Sequence, residues 1–211
     1  MQTSEVQRIL SRFGFNPGPV DGTYGPMTAT GVARFQTACA LYGHNLVVDG
    51  IPGPKSWAAL QEMNDTGRLS SNFFVSELRS RPRPGMPKND SCWIHRDLLA
   101  ALEVLRHHVG RPLAIISGYR TEMHNRAVGG ATSSQHTYGA APELQRISGR
   151  LARGVRPAAG RAADFNSGYI SLDDCVNLRI FSGIGHRNGQ VTHVDARTNG
   201  SPNNPTVWRY R

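Results

Sequence analysis

The chain of 211 residues carries 24 Lys and Arg against 15 Asp and Glu, a formal charge of +9. Hydrophobic residues at 38% and charged ones at 18%, with no long charge block, fit a folded protein and exclude a disordered one. No apolar run is long enough to span a bilayer, and Met1-Gln-Thr-Ser-Glu5 has neither the basic nor the apolar region of a secretory signal peptide.

In chain order, Val6, Ile9, Leu10 and Phe13 form the first apolar stripe at helical spacing, ahead of Gly14. Val20-Asp-Gly-Thr-Tyr-Gly-Pro26 then recurs, 28 residues later, as Val48-Asp-Gly-Ile-Pro-Gly-Pro54. Each copy reads as a Gly-rich turn that delivers a proline into the first turn of a helix. Val32, Phe35, Cys39 and Tyr42 give the helical stripe after the first copy, and Trp57, Leu60 and Met63 the stripe after the second. The result is a three-helix unit of about 60 residues, near the lower limit for independent folding. Its four Lys and Arg balance its four Asp and Glu up to Glu62, so the whole positive excess lies beyond it.

The stretches VQRILSRFGFNPGPVDGTYGPMTATGVARFQ and VDGIPGPKSWAAL resemble the three-helix peptidoglycan-binding domain of bacterial and phage cell-wall enzymes. A binding role for residues 1–63 is what that resemblance implies. The repeated turns by themselves say only that a helix bundle is capped and held.

Residues 64–71 are polar and are expected to be a linker, with a second domain over 72–211. RSRPRPGMPKND (79–90) is too rich in proline for a helix. Leu98, Leu99, Leu102, Leu105 and Val109 predict an amphipathic helix ending at Gly110. Leu113-Ala-Ile-Ile116 predicts a short buried strand and Val191-Thr-His-Val-Asp195 an alternating one. Cys39, Cys92 and Cys175, odd in number and far apart, read as buried, reduced thiols.

Ser117-Gly-Tyr-Arg120, Ser134-Gln-His-Thr-Tyr-Gly139, Arg161-Ala-Ala-Asp-Phe165 and Gln190-Val-Thr-His-Val-Asp195 resemble, in this order, the zinc D-Ala-D-Ala carboxypeptidase family and its LAS-type relatives. The implied architecture is α+β: a small N-terminal three-helix bundle joined to an LAS-type zinc peptidase domain with a central, mainly antiparallel sheet. The implied chemistry is hydrolysis of an amide in the peptidoglycan stem or cross-bridge by water activated on Zn2+. Two imidazoles and a carboxylate suit such a metal, because they leave a coordination position for water.

The family places its Asp ligand seven residues after the His, whereas His136 and Asp164 stand 28 apart. Removing Ala140–Gly160 restores the family pattern, so those residues read as an insertion and the ligands as His136, Asp164 and His193. Glu143, seven residues after His136, is the competing carboxylate. Within the insertion, Leu144, Ile147, Leu151 and Val155 alternate with Arg146, Arg150, Arg153 and Arg156, as in an amphipathic helix. It is either a basic lid or a solvated decoration.

Arg120 matches the arginine of the family's SGYR and is expected to hold a substrate carboxylate or carbonyl. Ser134, Tyr138 and Trp208 are further expected substrate contacts. Asp195, two residues from His193 and on the same strand face, is the first candidate for general base, with a salt bridge to Arg197 as its alternative. His186 is the weaker candidate. Gln190 and Val191 stand where relatives carry a Glu or a His, and neither accepts a proton near neutral pH.

A basic chain seeks an acidic partner, and nucleic acid, membrane surface and anionic cell wall all qualify. No nucleic-acid motif accompanies the charge, and no segment inserts into a membrane. The expected protein is therefore a monomeric wall hydrolase, made in the cytoplasm and acting on the wall as an endolysin, or secreted if a signal has been removed. A wall-binding protein that has lost its catalytic activity is the alternative.

Overall fold

A computed structural model of the chain describes residues 1–80, 84, 92, 94–137, 160–166, 168–197 and 199–210. Tyr138, Glu143 and all of the expected insertion except Gly160 lie outside the described residues, as does most of the Pro-rich stretch.

The N-terminal part holds α1 (Thr3–Arg12), α2 (Pro26–Ala38) and α3 (Pro54–Thr66), with α2 running on into a 3-10 turn over Cys39–Tyr42. Both prolines occupy the first helical position, where a missing N–H costs nothing. The apolar stripes point inward: Val6, Ile9, Leu10, Phe13, Val32, Phe35, Leu60 and Met63 are buried.

Two buried glutamines hold the repeated turns, and they are equivalent to one another. The Gln7 amide donates to Asp21 Oδ1 (2.9 Å), the Thr23 carbonyl (3.0 Å) and Thr28 Oγ1 (3.1 Å), while its oxygen accepts from the Asp21 and Gly22 N–H groups. Gln36 repeats this set on Asp49 (2.8 Å), Ile51 (3.0 Å), Ser56 (3.2 Å) and the Asp49 and Gly50 N–H groups. Burying an amide is costly unless it is fully hydrogen-bonded, and the turn together with the first turn of the following helix supplies the partners. The Tyr24 hydroxyl donates to the Gly50 carbonyl, so the two turns also touch.

The polar stretch 64–71 begins inside α3, which ends at Gly67 in the left-handed conformation (φ 67°). Leu69 and Ser70 are fully buried, so this connection is packed against the protein rather than solvated. Arg96 shows what it packs against. Its guanidinium lies 4.4 Å from the Phe15 ring centroid and donates to the Leu69 carbonyl at 3.2 Å. One continuous set of buried side chains runs through both parts of the chain.

Beyond a single turn, α4 (Val75–Leu78), comes α5 (Arg96–Val109), which begins at the His95 cap and ends at Gly110 (φ 70°). Next follow β1 (Ile115–Ser117), α6 (Glu122–Ala127), β2 (Ala162–Phe165) and α7 (Leu172–Leu178). β3 (Gly183–Arg187), β4 (Gln190–Asp195) and β5 (Thr206–Arg209) close the chain. The sheet order is β1-β2-β4-β3-β5; every neighbouring pair is antiparallel except β3 with β5. A mainly antiparallel sheet with helices therefore follows the helical part, an α+β architecture. The three cysteines are free and buried, and burial pushes each thiol up to about 12.

Candidate metal centre

Antiparallel pairing sets Asp164 of β2 directly across from His193 of β4. Cross-strand partners share a sheet face, so a carboxylate and an imidazole meet without any loop being needed. His136 arrives from the segment after α6, where its carbonyl accepts from the Arg120 N–H at 3.1 Å. One donor atom from each of His136, Asp164 and His193 lies within 4.8 Å of the others.

The outer nitrogens of both imidazoles are fixed. His136 Nδ1 lies 2.6 Å from the Gly118 carbonyl, and a carbonyl can only accept, so this nitrogen carries the proton. His136 Nε2 then faces Asp164 Oδ1 at 3.2 Å and is the ring atom left to bind a metal. His193 is arranged in the opposite sense, with Nε2 3.2 Å from Asp195 Oδ2 and Nδ1 2.7 Å from Asp164 Oδ1. Three electron-pair donors thus converge, each backed by a second group, as in protein zinc sites. The donor set fits Zn2+.

Electrostatics agree with that reading. Burial pushes the Asp164 carboxyl up, but its hydrogen bonds to His136 and His193 prevail and hold it well below the usual carboxylate range. Burial disfavours the His193 imidazolium, yet hydrogen bonds to Asp164 and Asp195 leave its pKa raised. Two carboxylates thus flank this ring, Asp164 on the side where a metal ion would sit and Asp195 behind it.

Asp195, the first candidate for general base, is tied to Arg197 and His193. It is 0% exposed, and burial, which opposes its charge, is outweighed by hydrogen bonds to Arg197 and His193 that hold it at about 2. Arg197 donates to Oδ1 through Nε at 2.8 Å and to Oδ2 through Nη2 at 2.5 Å. The salt bridge to Arg197, set beside the general-base role as its alternative, is therefore formed, and the carboxylate also lies 3.2 Å from His193 Nε2. His186 serves the β3–β4 turn, where Nδ1 accepts from the Gly189 N–H at 3.2 Å.

Arg120, expected to meet substrate, is in part committed to the protein. Its Nη2 donates to Asp164 Oδ2 at 2.7 Å and its Nε to Ser117 Oγ at 2.8 Å, while Nη1 makes no hydrogen bond among the described residues. It both aims Asp164 Oδ1 inward and keeps one N–H edge for a ligand. A cleft of about 1020 Å³ opens over the site, lined among others by Arg120, Ser134, His136, Asp164, His193 and Trp208. The Trp208 ring stands 5.1 Å from His193, centroid to centroid. Ser134 Oγ also accepts from the His136 N–H at 3.3 Å.

Several participants escaped the sequence reading. Gly118, noted only as part of SGYR, supplies the carbonyl that fixes His136. Tyr210 lines the cleft beside Trp208, and the alternation Trp208-Arg209-Tyr210 was the signal for it. The two glycines of Phe181-Ser-Gly-Ile-Gly185 leave room for other side chains. A Cβ on Gly183 would lie 2.4 Å from Asp195 Oδ1, and one on Gly185 2.6 Å from Tyr210 Cε2. Arg161, just after the expected insertion, donates its N–H to the carbonyl of Gln135, a few residues before it, at 2.7 Å.

The peptidase M15 family matches residues 71–178, and a putative peptidoglycan binding domain matches residues 2–60. The first match includes Arg120, His136 and Asp164 and stops short of His193. The zinc D-Ala-D-Ala carboxypeptidase of Streptomyces albus G is 33% identical over 157 residues, covering 66% of this chain and 56% of that protein. The chain thus matches little more than half the length of this relative.

Proposed function

The chain belongs to the peptidase M15 family, and on that premise we propose that it is a peptidoglycan hydrolase that cuts an amide bond of the peptide stem or cross-bridge. The observation that carries the proposal is the convergence of His136, Asp164 and His193 on one point of an open cleft, in a chain whose first part resembles wall-binding domains. These three residues would hold the zinc ion. When bound, zinc lowers the pKa of a coordinated water and polarises the scissile carbonyl.

The remaining work falls to the chain's own groups. Gly118 and Asp195 hold the two imidazoles in the tautomers that turn a lone pair inward. Arg120 keeps Asp164 Oδ1 directed at the centre and offers Nη1 to a substrate carbonyl or carboxylate. Trp208 and Ser134 border the space in which the peptide lies. Binding by the neutral N-terminal part is not driven by bulk charge, because its acidic and basic residues cancel. Pairing such a part with a peptidase supports an endolysin role.

The test uses full-length His136→Ala and His193→Ala. Both should lose chelator-sensitive lysis of purified sacculi and still co-sediment with them. Lysis retained in both variants refutes the metal assignment; metal-free wild-type protein that binds but never digests sacculi supports the inactive wall-binding alternative. Mass spectrometry of the released muropeptides then reads D,D- against L,D-specificity, and exo- against endo-cleavage.

A further inference from the structure

The segment Ile94–Asp97 stands between the helical part and the sheet and is bonded to both. On one side is Arg96, the first residue of α5. Its guanidinium carbon lies 4.4 Å from the Phe15 ring centroid, and Nη1 donates to the Leu69 carbonyl at 3.2 Å and to the Tyr42 hydroxyl at 3.5 Å. Phe15, Tyr42 and Leu69 are all buried, and all belong to the N-terminal part or the connection after it. A cation in the first turn of a helix opposes the helix dipole. So α5 itself gains nothing from an arginine at this position, and what holds it there are its partners in the helical part.

On the other side the same segment meets β2, the strand of Asp164. Ile94 forms a parallel bridge with Gly160, the His95 N–H donates to the Gly160 carbonyl at 2.9 Å, and Asp97 lies 3.8 Å from the Arg161 guanidinium. A second line of bonds reaches His136. The carbonyl of Gly67, where α3 ends, accepts from the Val75 N–H at 2.7 Å, and beyond α4 the Leu78 carbonyl accepts from the Tyr119 N–H at 2.7 Å. A Cβ on Gly118 would lie 2.6 Å from that Leu78 oxygen, and Gly118 is the residue whose carbonyl fixes His136. Two candidate metal ligands are thus held by elements that are themselves bonded to the helical part.

We propose that Arg96 is a positioning residue for attack on the wall: it fixes the wall-binding part to the elements that hold the metal ligands, so that the cleft works at a set offset from the anchored part. The inference rests on the hydrolase reading above and adds to it a division between two forms of substrate. A peptide free in solution needs the cleft alone, whereas a peptide of an intact sacculus must be reached from the anchor. The effective concentration of one linked site at another depends on how stiff the connection is. Slackening the joint therefore costs the second reaction and spares the first.

The test compares, in the full chain, lysis of purified sacculi with turnover of a soluble stem peptide. Arg96→Ala should lower the ratio of the two rates by roughly tenfold, while its kcat/KM on the peptide and its co-sedimentation with sacculi stay close to those of the wild type. Arg96→Lys keeps the charge but not the planar face that lies on Phe15, and should restore part of the ratio. An unchanged ratio in folded Arg96→Ala overturns the proposal, and so does an equal loss on both substrates, which a merely destabilised protein would show. If the wild type cuts neither substrate, the hydrolase reading fails separately. In that case, or if Arg96→Ala does not fold, native-state hydrogen exchange of the wild type decides the joint. The slowest amides of α1, α2 and α3 should open with the same free energy as those of β2 and β4; helices that open earlier, as a unit of their own, overturn it.

Discussion

Gly183→Ala gives the sharpest test of how this site is held. The new methyl would lie 2.4 Å from Asp195 Oδ1, 2.5 Å from Oδ2 and 2.6 Å from Cγ, well inside any real carbon contact. β3 and β4 pair at this very position, Gly183 with Asp195, so the backbone has little freedom to yield. The carboxylate must move, and its two bonds to Arg197 and its contact with His193 Nε2 go with it. Separating one partner of a buried ion pair costs about 3–5 kcal/mol. Disturbing the group behind a metal-bound histidine typically lowers metal affinity roughly 10–100-fold. Thermal unfolding of metal-free protein reads the first effect, and competition with a chromophoric zinc chelator reads the second. Asp195→Ala removes the atoms that the methyl strikes, so in that background Gly183→Ala should add little to either loss. Unaltered stability and zinc affinity in Gly183→Ala, or full additivity in the double variant, would refute the steric argument.

The other expectations concern the rest of the fold. Gln7→Ala and Gln36→Ala should each destabilise the native state by about 1–3 kcal/mol, since each strands the buried groups it bonds; urea unfolding should find the two losses alike, and a silent variant would break the equivalence of the two turns. Hydrogen bonds from Gln7 and from the Ile51 N–H depress the pKa of Asp21 and of Asp49, respectively. A carboxylate with a depressed folded-state pKa stabilises above its unfolded value, near 3.9, and loses that contribution as the pH falls through the folded value. Acid unfolding followed by circular dichroism should therefore show a shallower acid limb in Asp21→Asn and Asp49→Asn. With burial holding Cys39, Cys92 and Cys175 at about 12, a thiol reagent at neutral pH should label none of them before urea unfolds the chain. Rapid labelling of native protein would contradict their burial.

Why some of this was legible in the sequence, and some not, depends on the range of the interaction. The helices were legible because Val6, Ile9 and Leu10, or Leu98, Leu102 and Leu105, record burial in a local period. The roles of Gln7 and Gln36 were not, because a polar residue within an apolar stripe looks like a solvent position until a turn 14 residues away in one case, and 13 in the other, supplies its partners. The ligand triad was legible only through resemblance. Nothing local joins His136 to Asp164 across 28 residues, and the antiparallel register that sets Asp164 against His193 is a property of the sheet. Asp195 shows the same limit from the other side. Its two-residue spacing from His193 put both on one face, where the two side chains meet, but spacing carries no information about depth, and this carboxylate is fully buried.

Phe181-Ser-Gly-Ile-Gly185 extends that argument to residues whose contribution is the space they leave. In a strand, a glycine usually signals lost stability or a bulge. In the structure each glycine answers to a neighbour on the same face: Gly183 to the Asp195 carboxylate and Gly185 to the rings of Trp208 and Tyr210. The first lets a charge be buried behind His193. The second lets the aromatic wall of the cleft approach the sheet. Both lie on β3, which gives no ligand to the centre, so β3 governs the site through the side chains it lacks. A variant that fills Gly185 should therefore disturb the cleft wall, and with it peptide turnover, while leaving zinc affinity close to that of the wild type; a zinc affinity that fell as far as in Gly183→Ala would show that the two glycines do not divide the work in this way.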